Sequence, residues 1–253
     1  MIAWFFLFFV AHADPVLQTA PQCACGATDR YEEPAQIGFG HYRGLCVDSC
    51  RFRRLQILKR DANFIVVGNL LHENRFWTAK IPLSKIREVN LEFEEFLPTI
   101  NHVFLRFYFS SPVELTSQSS HDTRKLDDFV ISAEGIPPKG HDYSFFDSSI
   151  GRYPLGVRIL SMEEVYAHAV LKRHHRVTQY DLDLEKPERI RALLSALEDG
   201  DTRGFQSVYA LLTNNCATAA VGYLTGATSF EAAIPFSGWI GTLHFLRARG
   251  LML

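Results

Sequence analysis

The sequence Asn214-Asn215-Cys216 places a cysteine directly before a stretch of small residues, ATAAVGYL, that predicts a helix. A thiol at a helix N-terminus lies at the positive end of the helix dipole, beside backbone N–H groups that lack helical partners. This position lowers the pKa of a thiol and favours the thiolate, and the same N–H groups can stabilise an oxyanion. Cys216 is therefore a candidate nucleophile, and a buried structural cysteine is the alternative.

A cysteine nucleophile needs a base, and the sequence contains ten histidines. His102 stands out because it opens the apolar sequence VFLRFYF, a predicted strand that would hold the imidazole ring in place. The other candidates lie between paired cysteines, in predicted loops, or in the basic sequence KRHHR, which is typical of a solvated helix end: His41, His121, His141, His174 and His175.

The other four cysteines form two close pairs, Cys23 with Cys25 and Cys46 with Cys50. Four thiols with this spacing suit either a zinc ion or two disulfides, and an exported chain favours the disulfides. A bridge within Cys-x-Cys is strained, so we favour links between the two pairs, although the sequence alone selects no pairing. In either alternative the cluster links the N-terminal segment to the rest of the domain, and Cys216 is left as the unpaired thiol.

Residues 1–13, MIAWFFLFFVAHA, have the pattern of a signal peptide. The apolar stretch is shorter than the roughly 20 residues that span a bilayer, and it ends in the small-x-small sequence Ala11-His12-Ala13. The alternative is a buried N-terminal strand. We predict an exported protein, periplasmic or secreted, with a Cys-rich extension over 14–90 that merges into the sheet and a catalytic domain over 91–253.

Short runs of aromatic and β-branched residues precede a series of helix signals. The predicted strands are 64–71, 76–83, 103–109, 128–133 and 177–184. The predicted helices run from a Ser161 cap to about Lys172, from Pro187 to near Gly200, from Cys216 onward, and over about 239–249. This order predicts an α+β fold. The segment 110–154 is rich in Ser, Pro, Gly and Asp, and predicts long loops around a site apart from one strand.

The charge balance argues against a nucleic-acid partner. The chain has 26 basic and 28 acidic residues, a net charge of -2, and no basic stripe of the kind that binds many phosphates. A local basic segment, RFRR at 51–54 with Lys59 and Arg60, fits either anionic lipid head groups or a solvated edge strand. The hydrophobic fraction of 47% is enough for a sizeable core, and we expect no cofactor.

Several blocks in order resemble one bacterial family. They are HVFLRFYF, DDFVISAEGIPP, SIGRYPLGVRILSMEEV, the YDLDL strand with the helix after it, and the NNCAT box. Together they cover about half the chain, from Asn101 to Leu224, and resemble the N-terminal periplasmic domain of Lnb-type lipoprotein N-acyltransferases. That family looks related to permuted papain-like thiol enzymes, including NlpC/P60 hydrolases and lecithin-retinol acyltransferase-like proteins. The resemblance implies an antiparallel sheet packed on helices.

The resemblance also implies roles for particular residues. His102 would be the base and Cys216 the nucleophile, with Glu134 the candidate that orients the ring and Asn215 a contributor to local positioning. The substrate would be an acyl-lipid, a lipoprotein or a peptide, met through a transient contact with the membrane surface. The acyltransferases of this family carry a membrane-spanning C-terminal part, for which this sequence has no counterpart, and the two cysteine pairs are not a feature of the family pattern.

Three functions are compatible with these residues. The first is an exported thiol acyltransferase or acyl hydrolase that works through an acyl-thioester. The second is a cysteine peptidase or cell-wall amidase with the same Cys–His dyad. The third is a non-catalytic binding module in which Cys216 and His102 are core residues. The distance between the Cys216 and His102 side chains is the observation that best distinguishes the two catalytic functions from the non-catalytic one.

Overall fold

The computed structural model describes residues 35–97, 100–211, 213–226 and 239–252. The predicted signal peptide, Cys23 and Cys25 lie outside these ranges. Within them, nine strands form one sheet. The strands are β1 (Gln56–Arg60), β2 (Phe64–His72), β3 (Arg75–Pro82), β4 (Ile86–Leu97), β5 (Ile100–Ser117), β6 (Thr123–Gly135), β7 (Pro154–Leu160), β8 (Arg176–Asp181) and β9 (Ser207–Val208).

Five of these strands close into a barrel in the order β2-β3-β5-β6-β7. The ring closes where Leu71 of β2 pairs in parallel with Leu160 of β7, whereas the neighbouring ladders are antiparallel. Strand β5 is long enough to serve two partners on one edge. Its first half pairs with β4 and its last residues pair with β3, with an irregular register between the two stretches on the β6 side.

Helices complete the fold and cover the sheet. They are α1 (Phe145–Ser149), α2 (Met162–Val165, continued as a π-helix over Tyr166–Lys172), α3 (Lys186–Arg203), α4 (Cys216–Thr225) and α5 (Trp239–Ala248), with a 3-10 turn at Leu83–Lys85. Helix α4 packs on β5, β6, α3 and α5. Its Val221 is buried in one core with Leu193 of α3 and with Phe107 and Phe129 of the sheet. This mixture confirms the predicted combination of strands and helices. None of the helices in the described ranges is long and apolar enough to cross a membrane.

The prediction of long loops over 110–154 was wrong where β5 and β6 extend beyond the predicted strands, whereas 136–153 is a long connection that contains only the short helix α1. Strand β5 continues to Ser117 and β6 begins at Thr123, so the connection between them shrinks to 118–122. The alternation is the physical reason: Val113, Leu115 and Leu126 are buried in the core while the polar residues between them face outward. A polar composition was mistaken for a loop where it marks the solvent face of strands.

The basic segment at 51–60 is divided between the interior and the surface of the fold. Arg53 is buried over the Phe76 ring and its Nε donates to the Ser49 carbonyl. Arg54 donates to the carbonyl of Asp201, and Arg60 pairs with Glu198. Arg53 and Arg54 are therefore held against neighbouring elements, whereas Arg51, Lys59 and Arg60 are exposed to solvent.

Cys46 and Cys50 each take part in a disulfide, whereas Cys216 is the free cysteine of the described ranges and is buried. The bonded state of Cys46 and Cys50 agrees with the disulfide alternative. How the four thiols pair stays a prediction, because Cys23 and Cys25 lie outside the described residues.

Candidate functional site

Cys216 is the first residue of α4, and local hydrogen bonds fix the start of that helix. Asn215 is the N-cap: its Oδ1 accepts from the N–H groups of Ala217 at 2.8 Å and Thr218 at 3.0 Å. Thr218 returns the contact, since its Oγ1 accepts from the Asn215 N–H at 2.8 Å. The Asn215 side chain also donates to the Leu211 carbonyl. Asn215 thus positions Cys216 by holding both sides of the turn.

The start of β5 lies against this helix end. The β5–β6 ladder begins at Phe104↔Ser132, one residue after Val103, so the two strands are not paired where Cys216 approaches. There the His102 imidazole and the Val103 backbone N–H lie close enough to the Cys216 sulfur to lower the pKa of the thiol. The structure therefore brings together the two residues that the sequence proposed as nucleophile and base.

The electrostatics of this contact favour a charged pair. Burial opposes the thiolate, yet the His102 charge, the hydrogen bond from His102, the Val103 N–H and the Tyr209 hydroxyl together lower the pKa of Cys216. Burial also opposes the imidazolium, but the charge of Cys216, its hydrogen bond and the carboxylates of Glu134 and Glu94 raise the pKa of His102 to about 9. The two shifts have the signs of a thiolate beside an imidazolium.

A serine stands between the His102 ring and the predicted orienting carboxylate. His102 Nε2 lies 2.6 Å from Ser132 Oγ. Ser132 hydrogen-bonds in turn to Glu134, whose Oε2 accepts from Arg158 Nη1 at 2.9 Å. Burial opposes the Glu134 charge, but Arg158, His102 and Ser132 hold its pKa below the usual value. Glu134 thus reaches the ring through Ser132 and by its charge.

Two tyrosines complete the surroundings of the thiol. The Tyr209 hydroxyl donates to Cys216 Sγ at 3.8 Å and lies close to the Cys216 backbone N–H. Tyr143 donates to Ser148 Oγ at 2.8 Å, and burial, with the charges of Cys216 and Glu134, raises its pKa to about 12. Cys216 itself is 5% exposed, and we call this small accessible area the Cys216 opening.

The other candidate histidines lie elsewhere. His41, His121, His141 and His174 are exposed. His175 is not a solvated helix end as predicted: its Nδ1 lies 2.7 Å from Oε1 of the buried Glu94, and its ring meets the Phe96 ring edge-on at 4.9 Å. Glu94 is the register partner of His102 on β4.

Sequence reasoning missed Ser132 and Tyr209. A signal for Ser132 was available, because it stands two residues before Glu134 in a predicted strand and must share its face. No comparable signal marks Tyr209, which is brought to the sulfur by the turn that joins β9 to α4.

A model of the Lnb N-terminal periplasmic domain matches residues 73–239, about two thirds of the chain. The chain belongs to the Lnb N-terminal periplasmic domain family. Membership confirms the resemblance and the predicted exported location, and it associates the chain with a periplasmic domain of lipoprotein-modifying enzymes. The matched range includes every residue of the contact network from His102 to Cys216. No curated protein and no solved structure matches the chain significantly.

The N-cap yields a stability prediction. Asn215→Ala removes the acceptor for two buried helix N–H groups, and we expect it to lower the free energy of unfolding by about 1–2 kcal/mol. Urea unfolding followed by circular dichroism measures the change. Asn215→Asp is the matched control, since it keeps the capping oxygen and should lose less stability. Equal losses in the two variants would contradict a capping role.

Proposed function

We propose that this protein is an exported thiol acyltransferase or acyl hydrolase that uses Cys216 as nucleophile and His102 as base. The observation that carries the proposal is the juxtaposition of Cys216 and His102, with a lowered thiol pKa and an imidazole pKa raised to about 9. A buried cysteine with only a packing role has no need of a charged partner, a backbone N–H and a phenol directed at its sulfur.

The arrangement also supports a permuted papain-like fold as part of the proposal. The histidine stands at the start of a strand that precedes the Asn-Cys helix, and the helix packs against that strand and the next one. This order is the one that the permuted members of the thiol-enzyme class share. Closure of the neighbouring strands into a barrel is an addition to that plan.

In the first half of the proposed reaction the Cys216 thiolate attacks the carbonyl carbon of an acyl ester, and a C–S bond forms. The tetrahedral intermediate collapses as the C–O bond breaks, and the imidazolium of His102 gives its proton to the leaving alkoxide. The products are an acyl-thioester, an alcohol and neutral His102. An imidazolium that persists at neutral pH suits this protonation.

In the second half an amine or a water attacks the thioester. Neutral His102 takes the proton of the attacking group, the C–S bond breaks, and Cys216 leaves as a thiolate beside the imidazolium. An amine acceptor gives an amide and completes acyl transfer, whereas water gives a free acid. The association of the family with lipoprotein modification supports lipid or lipoprotein acyl groups as the substrate class.

The oxyanion of both intermediates has donors at hand. The N–H groups of Ala217 and Thr218 are occupied by the Asn215 cap, which leaves the Cys216 N–H as the helix-terminal donor nearest the sulfur. In the resting protein this N–H meets the Tyr209 hydroxyl. The proposed role of Tyr209 is to turn its hydroxyl from the thiolate to the oxyanion once the C–S bond has formed.

The test is to trap the acyl-enzyme. The full chain is incubated with a diacylated lipopeptide or an activated acyl ester, and intact-mass and peptide mass spectrometry locate the added acyl group. We expect one acyl group on Cys216, released by hydroxylamine as a thioester is. Cleavage of cell-wall peptides with no acylation by lipid esters would support the amidase alternative, and absence of any Cys216 adduct with either substrate would overturn the proposal.

Ser132 gives a prediction specific to the orienting contact. Ser132→Ala removes the acceptor for His102 Nε2 and breaks its link to Glu134, so we expect kcat/KM for an acyl ester to fall about 10- to 100-fold. Ser132→Thr keeps the hydroxyl and should recover most of the loss. If Ser132→Ala retains full activity with an unchanged pH profile, the hydroxyl does not orient the ring.

A further inference from the structure

Most of the exposed large apolar side chains in the described ranges gather on one face. Six of the eight lie in two short segments, and Tyr166 and Leu171 are the other two. We call the six the aromatic patch; its members are Tyr143, Phe145, Phe146, Ile150, Val208 and Leu211. Phe146 is the most exposed of the eight at 64%. Soluble surfaces rarely concentrate such residues without a partner.

The patch adjoins the Cys216 site. Tyr143 lies near enough for the charges of Cys216 and Glu134 to act on its hydroxyl. A Cβ at Gly135 would stand 3.1 Å from Ser148 of α1 and 3.3 Å from Tyr209, so the aromatic helix is close to the residue that bonds the sulfur. A Cβ at Gly151 would stand 3.2 Å from Val208, which joins the two segments of the patch.

The aromatic side chains stand on a fixed support. Asp147 of α1 accepts from the Tyr42 hydroxyl at 2.8 Å and pairs with Arg152 at 2.7 Å. The helix is capped by Ser144, whose backbone N–H donates to the Tyr153 hydroxyl. These bonds fix the backbone of α1. Phe145 and Phe146 are therefore held in an outward direction.

We propose that the aromatic patch inserts into the interfacial region of a phospholipid bilayer and sets the Cys216 opening against it. Phe145 and Phe146 on the short helix α1, with Tyr143 just before it, are of the type that partitions at the head-group level. The exposed cations Arg43 and Lys139 stand at the margin, on segments that contact each other through Tyr42 and Cys46, and Asp142 is an exposed carboxylate there. Arg152 at the same margin pairs with Asp147, so the margin carries little net charge and apolar insertion is the main contribution.

This inference rests on the proposed function and extends it to the way the site reaches its substrate. A bilayer supplies acyl chains at the depth where the patch residues would lie, so insertion would present an ester carbonyl near the Cys216 opening. A second copy of this chain could cover the aromatic patch instead of a bilayer. The experiments below distinguish this dimer from membrane binding.

The test is co-sedimentation of the full chain with sucrose-loaded vesicles of phosphatidylcholine alone and of phosphatidylcholine with phosphatidylglycerol. Phe145→Ser with Phe146→Ser should weaken binding to both vesicles by about 10- to 100-fold. Tyr166→Ser with Leu171→Ser is the matched control, since it removes the two exposed apolar side chains outside the patch and should bind as the unmodified chain does. The contrary outcome is that phosphatidylglycerol changes the affinity for vesicles more than the Phe substitutions do. That result would mean that charge, and not insertion, drives binding.

Catalysis is separated from docking by two further measurements. The Cys216→Ala chain should bind vesicles normally, and the Phe145→Ser, Phe146→Ser chain should keep its kcat/KM on a short water-soluble ester while losing activity on vesicle lipid. The inference is overturned if the unmodified chain does not bind vesicles, if both double variants lose binding equally, or if analytical ultracentrifugation finds a dimer that the Phe substitutions abolish. A different result would overturn the proposed function alone: the unmodified chain binds vesicles as expected, but the Cys216→Ala variant is still active.

Discussion

Cys216→Ala is expected to lower acyl transfer and acyl hydrolysis by about 10⁴-fold or more, to the rate without enzyme. The sulfur is the atom to which the proposed acyl group is attached, and alanine offers nothing in its place. The substitution also affects His102, because its ring loses the Cys216 thiolate charge that helps to keep it protonated. Steady-state rates on an activated acyl ester and a lipopeptide measure the loss.

Cys216→Ser tests whether the thiol is needed rather than the space it fills. A serine hydroxyl has a far higher pKa than a thiol, and the surroundings that stabilise a thiolate do not supply enough to ionise it. We therefore expect Cys216→Ser to be nearly as inactive as Cys216→Ala while unfolding at a similar urea concentration. Full activity in either variant would contradict a nucleophilic role for Cys216 and favour the non-catalytic alternative.

The start of α4 could be predicted because its signals are local. Turn-prone residues before Cys216 and small residues after it specify a cap and a helix within a few positions, and the structure begins the helix at Cys216. His102 could be proposed because it opens an apolar strand. Its contact with Cys216 could be suggested only by the family resemblance, since the two residues are far apart in the chain and their meeting depends on how α4 packs on β5.

The parts that escaped prediction depend on register and closure. Ser132 contacts the ring because β6 pairs with β5 in one particular register, and a shift of one residue would turn it to the opposite face. The barrel closes through the parallel pair Leu71↔Leu160. Neither the composition of β2 and β7 nor the spacing of their residues predicts that pairing. Strand β5 was predicted at less than half its length, because its polar outer face resembles a loop.

The length of β5 matters for the site. Its first half carries His102 between β4 and the α4 terminus, while its last residues are held by β3 within the barrel. The proposed base, His102, is therefore fixed to the most extensively paired strand of the sheet. The proposed nucleophile, Cys216, is fixed to a capped helix that packs on the same strand. A site assembled from two rigid elements keeps its geometry without a ligand, which suits a charged resting pair.

His102→Gln is expected to lower kcat/KM about 10²- to 10⁴-fold, through the loss of both the base and the charge that stabilises the thiolate. With the imidazolium gone, burial remains as the main influence on Cys216 and raises its pKa. Alkylation by iodoacetamide, which reports the thiolate, should therefore slow at pH 7 by at least about tenfold. His121→Gln is the matched control, because His121 is exposed in the β5–β6 turn and should change neither rate.

The pH dependence distinguishes loss of the pair from a general disturbance. In the unmodified chain the thiolate and the imidazolium coexist between the lowered pKa of Cys216 and the raised pKa of His102, about 9. Acylation should therefore rise as Cys216 loses its proton and fall as pH passes about 9, where His102 can no longer protonate the leaving group. His102→Gln should abolish the alkaline fall and move the rise in alkylation to higher pH. An alkaline limb that persists in His102→Gln would assign it to another group and remove His102 from the mechanism.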